Sequence, residues 1–326
     1  MKITMAHGSG GKETSELIKT IFTKHIGNEI LSRQEDSAIL QMNGKIAYTT
    51  DSFVVTPLVF KGGDIGKLAI CGTVNDLLMA GAHPQYISAG FIIEEGMDFE
   101  LLETIVISMA ESAREAGVKI VAADTKVING NGGIYINTSG IGFIPDDRIL
   151  SVENCKVGDC VILSGDLGDH HACIYSSRMG IQNDISSDAM PLCKLVDALF
   201  DNDIKVNCMR DVTRGGLATI LNELSEGSKC AIDIDENSIP VGDATAGLCS
   251  ILGLDPLFMG NEGKFVAIVS PEHALKALEI LHSTPGGENA AIIGKISEGK
   301  GVKLTTKIGG KRLLNVLYGE GLPRIC

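Results

Sequence analysis

The sequence predicts an α+β fold of two domains, in which helices pack on one face of mixed β-sheets. A chain of 326 residues is too long for one ordinary hydrophobic core. Strand-like runs and helical stretches follow one another without the strict β-α-β order of a parallel α/β protein. The hydrophobic content of 44 % and the 39 glycines indicate an interior of small aliphatic side chains.

The spacing of apolar residues predicts the elements of the first half. Apolar side chains at intervals of three and four indicate helices over 13–22, 66–79 and 100–116. Apolar runs indicate strands over 45–50, 86–93, 119–123, 134–138 and 141–144. The stretch 145–148 is typical of a linker and closes this half.

The second half follows the same coarse plan, without a residue-level repeat. Predicted strands cover 160–164, 265–269, 290–294 and 302–305. A helix is expected from Ser270 as N-cap and Pro271 in its first turn. We therefore predict an N-terminal arm and helix (1–35), a first domain (36–148), a second α+β domain (149–308) and a mobile tail (309–326).

Charge and cysteine content limit the possible function classes. A net charge of −13 disfavours a nucleic-acid or anionic-membrane surface. The nine cysteines are odd in number and form no C-x-x-C pair, which argues against a disulfide framework or a structural zinc site. The N-terminus lacks the apolar run of a signal peptide, and no 18-residue apolar span follows. We expect a cytoplasmic protein with reduced thiols.

The chain ends in a cysteine that no following residues can pack into a core. Gly319 and Gly321 allow the backbone before Cys326 to swing, and Pro323 stiffens the last four residues. Arg324 places a positive charge near the thiol, which favours the nucleophilic thiolate. The pattern predicts a mobile arm that carries a reactive sulfur. The alternative is a frayed tail that ends in cysteine.

A glycine-rich loop precedes the first predicted helix. Its residues are Gly8, Ser9, Gly10, Gly11 and Lys12. The backbone N–H groups of such a loop, at the start of a helix, can bind phosphate. The spacing matches neither the P-loop nor the dinucleotide fingerprint. We predict that these five residues contact phosphate, with a flexible N-terminal turn as the alternative.

Four aspartates of the first half follow strand-like runs or lie in a helix. Asp36 comes first in the chain, Asp51 and Asp124 follow strand-like runs, and Asp76 stands beside Asn75 inside the helix 66–79. Mg²⁺ takes oxygen ligands and is commonly shared between carboxylates and nucleotide phosphates. We predict that the four aspartates form one Mg²⁺ and phosphate cluster. The alternative is that each is a solvated loop residue or a helix cap.

Glu262 stands between small residues where a loop meets the buried strand 265–269. A carboxylate in this setting can acquire the pKa of a general base, although a turn residue without a role is the alternative. His170 and His171 are adjacent, so they cannot both chelate one metal ion from a helix in the i, i+4 manner. We interpret the two histidines as helix-start residues.

Asp211 follows Arg210 and precedes a predicted helix over 217–224. One interpretation pairs Asp211 with Arg210 and makes Thr213 the helix cap. The other places Asp211 near phosphate, where it completes a nucleotide site. The residues alone leave both open.

Eight motifs appear together along the chain. They are His7-Gly8-Ser9-Gly10-Gly11, Glu35-Asp36-Ser37-Ala38, Thr50-Asp51-Ser52-Phe53, Gly72-Thr73-Val74-Asn75-Asp76, Asp124-Thr125-Lys126, Asp211-Val212-Thr213-Arg214-Gly215-Gly216, Asn261-Glu262-Gly263-Lys264 and Pro323-Arg324-Ile325-Cys326. From end to end they resemble the HypE family of carbamoyl dehydratases, within the aminoimidazole-ribonucleotide-synthetase-like superfamily. The terminal motif is specific to the dehydratases. One departure is Ala122-Ala123 before Asp124, where a glycine is expected.

The resemblance implies a two-domain aminoimidazole-ribonucleotide-synthetase-like fold, homodimerisation through the sheet of the first domain, and ATP with Mg²⁺ bound in the cleft. Cys326 would receive a carbamoyl group from a partner carbamoyltransferase. Phosphorylation of the amide oxygen by ATP and removal of the nitrogen's proton would yield a thiocyanate. By resemblance Glu262 is the base and Lys126 its ion-pair or electrostatic partner. Cyanide would pass to iron on a separate scaffold complex during maturation of nickel–iron hydrogenase.

Two other functions are compatible with parts of the pattern. A superfamily kinase or synthetase that acts on a small molecule would use the same nucleotide site but would not need Cys326. A non-catalytic dimeric carrier would need Cys326 but not Glu262. The fate of a carbamoyl group on Cys326 separates these two functions from a dehydratase.

Overall fold

A computed structural model describes residues 1–9, 11–33 and 37–317 of the chain. The chain divides into two compact units. Among the described residues, unit 1 contains those of 1–78 and 82–146, and unit 2 contains 79–81 and 147–317. The finer division into four segments stays a prediction.

Unit 1 is built on a four-stranded mixed sheet. The strands described in this unit are β1 (Lys45–Phe53), β2 (Val59–Phe60), β3 (Gly63–Asp64), β4 (His83–Glu94), β5 (Lys119–Ile128) and β6 (Ile134–Ile144), and four of them form the main sheet. The order in the sheet is β1-β6-β4-β5, and β2 pairs with β3 in a small hairpin. β4 and β5 run parallel, whereas β6 pairs antiparallel with both β1 and β4. β1 and β5 are therefore the two edge strands.

The strands predicted at 134–138 and 141–144 are one continuous strand. Gly140 lies inside β6 and pairs with Thr49 on one side and Ile87 on the other. A Cβ at Gly140 would lie 2.6 Å from Cγ2 of Thr73. The glycine therefore permits a helix to pack closely and does not mark a break in the strand.

Helices cover one face of this sheet. They are α1 (Lys12–Leu17), a π-helical turn (Ile18–Thr23), α2 (Lys24–Ile26), α3 (Ile65–Met79) and α4 (Phe99–Glu115). Asp64 starts α3, because its Oδ1 accepts hydrogen bonds from the backbone N–H groups of Gly66 (2.7 Å) and Lys67 (3.0 Å). Burial raises the pKa of the Asp64 carboxyl. The helices predicted from apolar spacing are confirmed, with α3 and α4 each within one residue of the expected ends.

The other face of the sheet carries exposed apolar side chains. Strand alternation directs Ile46, Tyr48, Ile92 and Tyr135 away from α3, and these side chains are 36–67 % exposed. Thr138, on the opposite side of the same sheet, is fully buried and bonds to Thr73 of α3 at 2.5 Å. We refer to the side with the four exposed residues as the open face.

Over its described residues, unit 2 contains a seven-stranded sheet and five α-helices. Its strands are β7 (Cys160–Leu163), β8 (Val206–Asp211), β9 (Ala231–Asp235), β10 (Phe265–Val269), β11 (Ala291–Ser297), β12 (Val302–Thr305) and β13 (Lys311–Leu313). Its helices are α5 (Asp169–Arg178), α6 (Cys193–Asp201), α7 (Gly216–Ser228), α8 (Asp243–Leu252) and α9 (Pro271–His282). The sheet order is β13-β12-β9-β11-β7-β10-β8. β10 is buried along its whole length.

Two capping predictions in unit 2 differ from the structure. Helix α7 begins at Gly216 behind Gly215, whose φ of 82° lies in the left-handed region, so Thr213 is not its cap. Arg210 pairs with Glu223 on α7 at 2.6 Å, a partner one strand-to-helix connection away that local spacing could not indicate. Ser270 holds the N-cap position of α9, but its hydroxyl makes no capping hydrogen bond.

None of the helices within the described ranges has the length and apolar character that a membrane crossing requires.

Candidate functional site

The N-terminal glycine-rich segment packs directly on edge strand β5. A Cβ at Gly8 would lie 2.7 Å from Cβ of Val127 and 2.8 Å from its backbone nitrogen. Only a residue without a side chain allows this approach. Helix α1 then begins at Lys12, as the loop-to-helix pattern predicts. Gly10 lies outside the described residues.

A cavity of about 560 Å³ lies between the first helical segment and β5. Gly8, Asp124 and Lys126 line it together. Apolar walls come from Ile18 and Phe22, and Phe22 packs on Phe91 of the sheet at 4.7 Å between ring centroids. This volume falls within the range of small-molecule sites, which combine apolar walls with a few polar groups. The structure thus joins three of the sequence-predicted residues in one cavity.

Asp124 and Lys126 form an ion pair on β5. Their side chains are 72 % and 66 % exposed, and Nζ of Lys126 lies 3.0 Å from Oδ2 of Asp124. The prediction that Asp124 follows the end of a strand is wrong, because β5 continues to Ile128. Asp124 pairs with Gly90, and Lys126 pairs with Ile92 of the open face. Both charged side chains therefore project on the open face.

Asp51 and Asp76 lie along the contact between β1 and α3. A Cβ at Gly72 of α3 would lie 3.6 Å from Oδ2 of Asp51, and Asp76 follows Gly72 by about one helical turn. Oδ2 of Asp76 accepts a hydrogen bond from Oγ1 of Thr49 at 2.7 Å. Asn75 is buried within α3. Asp51, like Asp124, lies inside its strand rather than after it.

The sheet separates Asp124 from Asp51 and Asp76 within one chain. β1 and β5 are opposite edges, three strand spacings or roughly 14 Å apart. Asp51 pairs with Thr138 on the helix-covered face, whereas Asp124 lies on the open face. The predicted single cluster did not take account of this order, and its fourth member, Asp36, lies outside the described residues. Within the described ranges, no three His, Cys, Asp or Glu side chains are grouped to hold a metal ion.

Asp211 and Glu262 lie at the same end of the seven-stranded sheet. Asp211 ends β8 and pairs with Phe265, the first residue of β10. The backbone N–H of Val212 donates to the carbonyl of Lys264 at 2.8 Å, so the loop before β10 continues alongside the end of β8. Glu262 is half-buried in that loop. The predicted ion pair between Glu262 and Lys126, which belong to different units, stays a prediction.

His170 and His171 are both in the first turn of α5, as predicted. Burial lowers the pKa of each imidazole to about 4. Nδ1 of His170 lies 2.8 Å from Oγ of Ser187. Nε2 of His171 has no hydrogen-bond partner among the described residues.

Sequence reasoning missed one pair of residues near Glu262. Asp188 and Lys264 form an ion pair of 3.4 Å whose side chains are 4 % and 9 % exposed. Lys264 belongs to a motif that the sequence singled out, but Asp188 lies in a stretch without regular structure. No local signal connects two residues so far apart in sequence. Cys326, the predicted acceptor, lies outside the described residues.

Both units match families of one class. The family described as "AIR synthase related protein, N-terminal domain" matches residues 34–144, and "AIR synthase related protein, C-terminal domain" matches residues 156–307. Fold and sequence thus define an AIR-synthase-related protein of two domains.

Three related proteins show which family of AIR-synthase-related proteins this chain is similar to. The carbamoyl dehydratase HypE of Rhodobacter capsulatus is 43 % identical over 335 residues, which cover 100 % of this chain and 98 % of that protein. A crystal structure of hydrogenase maturation protein HypE in complex with ATP has a TM-score of 0.94 and 43 % identity, over 99 % of both chains. A crystal structure of a HypE–HypF complex has a TM-score of 0.81 and 46 % identity, over 92 % of this chain and 99 % of that chain. This chain belongs to the HypE carbamoyl dehydratase family.

Proposed function

We propose that this protein is an ATP-dependent carbamoyl dehydratase that makes cyanide ligands for the iron of nickel–iron hydrogenase. The observation that carries the proposal is the end-to-end similarity to carbamoyl dehydratases, one of which is known in complex with ATP. The cavity lined by Gly8, Asp124 and Lys126 supports it, because a nucleotide site needs backbone donors and charged groups together. The substrate is a carbamoyl group on the sulfur of Cys326.

The reaction removes one oxygen and two protons from the carbamoyl group. Transfer of the γ-phosphoryl group to the amide oxygen, with loss of one N–H proton, gives ADP and the imidate R–S–C(OPO₃)=NH. Loss of the second N–H proton and cleavage of the C–O bond give the thiocyanate R–S–C≡N and inorganic phosphate. Phosphate is a far better leaving group than hydroxide, which is why the dehydration requires ATP.

Glu262 is the proposed base for the second proton. It is half-buried among buried neighbours, where a carboxylate is less solvated than in water and binds a proton more readily. Lys126 is the proposed electrostatic partner of the reacting groups. Its ammonium is largely exposed, and the carboxylate of Asp124 holds it in place.

The nucleotide is proposed to bind through Gly8, Ser9, Gly10, Gly11, Lys12, Asn75 and Asp211, together with the four aspartates Asp36, Asp51, Asp76 and Asp124. Because the sheet separates Asp124 from Asp51 and Asp76 within one chain, the four are not proposed to surround a single Mg²⁺ ion of that chain. Asp51 and Asp76 both lie along the contact between β1 and α3, which suits the way Mg²⁺ binds, through one or two carboxylates and the substrate phosphates. When bound, Mg²⁺ supplies positive charge that neutralises the phosphates.

The open face supports a homodimer through the sheet of unit 1. Its exposed side chains Ile46, Tyr48, Ile92 and Tyr135 form an apolar surface that a second copy can cover. Asp124 and Lys126 project on the same face, so dimerisation places both at the interface. We propose that Tyr48→Lys gives a monomer in sedimentation analysis and lowers thiocyanate formation. A dimer of unchanged stability would contradict this interface.

Two protein partners follow from the proposed reaction. A carbamoyltransferase loads Cys326, and a solved complex of HypE with HypF supports such a contact. An iron-scaffold complex receives the cyanide, because thiocyanate carbon must reach iron to serve hydrogenase. We place the reaction in the cytoplasm, since the eight described cysteines form no disulfide with one another, as a reducing compartment favours.

The test is to measure the mass of the intact chain during the reaction by mass spectrometry. The protein is incubated with carbamoyl phosphate, the carbamoyltransferase and ATP. We expect the mass of one carbamoyl group to be gained and the mass of one water to be lost afterwards. The loading step should disappear in Cys326→Ala. The water loss alone should disappear in Glu262→Ala but remain in Glu279→Ala, which removes an exposed carboxylate of α9.

Each alternative outcome has a defined meaning. Loss of water in Glu262→Ala would contradict the assignment of the base. ATP turnover on a small molecule, with Cys326 unmodified, would favour the kinase or synthetase function. A carbamoyl group that stays intact in the presence of ATP would favour the carrier function.

A further inference from the structure

Glu262 is presented to solvent by a stretch of chain that is otherwise buried. From Met259 to Ser270, each residue except Glu262 is buried. Asn261, which precedes it, is 1 % exposed, and Lys264, two residues later, is 9 % exposed. A surface turn without a role would not be flanked on both sides by buried polar residues, because burial of such groups is costly unless they are bonded. The buried polar groups of this loop are hydrogen-bonded to residues on either side of Glu262.

An ion pair holds the loop backbone on both sides of the Glu262–Gly263 peptide. Oδ1 of Asp188 accepts a hydrogen bond from the backbone N–H of Glu262 at 3.0 Å. Nζ of Lys264 donates to the carbonyl oxygen of Gly263 at 3.2 Å and lies 3.4 Å from Oδ2 of Asp188. One carboxylate and one ammonium thus fix a backbone donor and a backbone acceptor. We refer to Asp188 and Lys264 as the clamp.

The neighbouring residues remove the remaining freedom of the loop. A Cβ at Gly263 would overlap the carbonyl oxygen of Asp188 and lie 2.6 Å from Cγ of Met190, so the loop and residues 188–190 are in direct contact. Oδ1 of Asn261 accepts from the N–H of Gly168 at 2.7 Å, and its Nδ2 donates to the carbonyl of Val212 at 3.0 Å. The backbone that carries Glu262 is therefore fixed from three directions.

We propose that Asp188 and Lys264 are positioning residues that set the location and the pKa of Glu262 for proton removal. The inference rests on the proposed role of Glu262 as base. A base must lie within hydrogen-bond reach of its proton, and a displacement of about 1 Å can reduce a rate roughly a hundredfold. The clamp also balances charge next to the base, since its two opposite charges are buried together.

The charge balance gives a test that a purely structural role would not pass. The carboxyl groups of Asp169 and Glu288 and the imidazole of His170 also interact with the clamp, and they are the same in every variant. Lys264→Met removes the positive charge of the clamp and keeps the Asp188 carboxylate, so the pKa of the base rises and the ascending limb of the pH–rate profile moves to higher pH. Asp188→Asn keeps an oxygen acceptor for the Glu262 N–H but removes the negative charge of the clamp and keeps the Lys264 ammonium. The same limb then moves to lower pH. The neutral double variant returns the limb toward that of the unmodified protein.

The experiment measures single-turnover thiocyanate formation against pH in carbamoylated full-length protein with ATP. We expect each single variant to lose roughly tenfold to a hundredfold in maximal rate, with the KM for ATP unchanged. Asp159→Asn is the matched control. Asp159 is also a buried carboxylate, and it accepts from the N–H of Lys156 (2.7 Å) and Nδ2 of Asn207 (2.8 Å) at the other end of β7. The Asp159→Asn variant should be less stable but should show the ascending limb of the pH–rate profile at its original pH.

Two outcomes would overturn the inference, and they can be told apart from failure of the proposed base. In one outcome, the ascending limb of the pH–rate profile stays in place in both single variants after the rates are corrected for the folded fraction. The clamp would then have no catalytic role. Unchanged amide hydrogen exchange across 261–265 in Lys264→Met would show that the clamp does not hold the loop. Full activity of Glu262→Gln would instead remove the base assignment itself, whatever the exchange result.

Discussion

Each unit contains an aspartate–lysine ion pair that includes a proposed catalytic residue, as in unit 1, or lies next to one, as in unit 2, and the two pairs differ in burial. Asp124 and Lys126 of unit 1 are 72 % and 66 % exposed at 3.0 Å, whereas Asp188 and Lys264 of unit 2 are 4 % and 9 % exposed at 3.4 Å. An exposed pair adds little to stability because water already solvates both charges. A buried pair depends on both partners, because either charge alone would be left without solvation. The two pairs therefore have similar nitrogen–oxygen distances but differ in how much protein stability depends on them.

The difference in burial is the basis on which we propose binding for the exposed pair and positioning for the buried pair. Side chains that lie open on a sheet face can exchange their mutual contact for a substrate at small cost. Side chains enclosed in a loop cannot, and they fix the backbone instead.

The largest effect is expected from breaking the buried pair. Lys264→Met should lower the free energy of unfolding by about 3–5 kcal/mol, because it leaves the Asp188 carboxylate buried without a counter-charge. Lys126→Met, the matched change in the exposed pair, should lower it by less than about 1 kcal/mol. Urea unfolding followed by circular dichroism measures both. Equal losses in the two variants would remove the distinction between the pairs.

The buried histidines of unit 2 predict a loss of stability in acid. The pKa of His170 and of His171 is about 4 in the folded protein, below the value near 6.5 of an unfolded chain. Between these values the unfolded state binds more protons, so stability is complete above pH ~6.5 and falls toward pH ~4. Across this pH range, each imidazole changes the free energy of unfolding by on the order of 3 kcal/mol. Burial raises the pKa of Asp169, which acts in the opposite direction.

His171→Phe isolates one part of this slope. Its Nε2 has no hydrogen-bond partner among the described residues, so a phenyl ring loses no bond there. We expect the unfolding free energy of the variant to depend less steeply on pH between ~4 and ~6.5. Denaturant titrations across that range provide the measurement. A slope as steep as that of the unmodified protein would show that His171 does not titrate with unfolding.

A smaller effect is expected at the glycine-rich segment of unit 1. Gly8→Ala places a Cβ 2.7 Å from Val127, so the segment must move away from β5. ATP binding, measured by calorimetry, should weaken about tenfold, or ~1.4 kcal/mol. Gly247→Ala is the control, because a Cβ there meets nothing within 4 Å. Unchanged affinity in Gly8→Ala would separate this segment from the nucleotide.

Local sequence patterns predicted most elements but not the geometry of the acidic residues. Apolar spacing located α3 and α4, and an uninterrupted apolar run located β10, because these signals arise within one element. The same signals placed the ends of β1 and β5 too early, since Asp51 and Asp124 are polar residues inside paired strands. Pairing is a property of the sheet and cannot be read from one strand.

Residues that were predicted to form one cluster can also lie on opposite sides of a sheet. Strand alternation and the order β1-β6-β4-β5 together place Asp51 and Asp124 on different faces, and neither is visible before the sheet order is known. The clamp was missed for a related reason. Lys264 and Asp188 are joined only by tertiary packing, and Asp188 belongs to no regular element.

The most direct test of the proposed function is the infrared spectrum of the reacting group. Protein carrying a ¹³C-labelled carbamoyl group on Cys326 is mixed with ATP and the spectrum is followed in time. We expect the amide carbonyl band to disappear and a C≡N stretching band, shifted by the label, to appear at the same rate. An amide band that persists while ATP is hydrolysed would contradict the proposed dehydration.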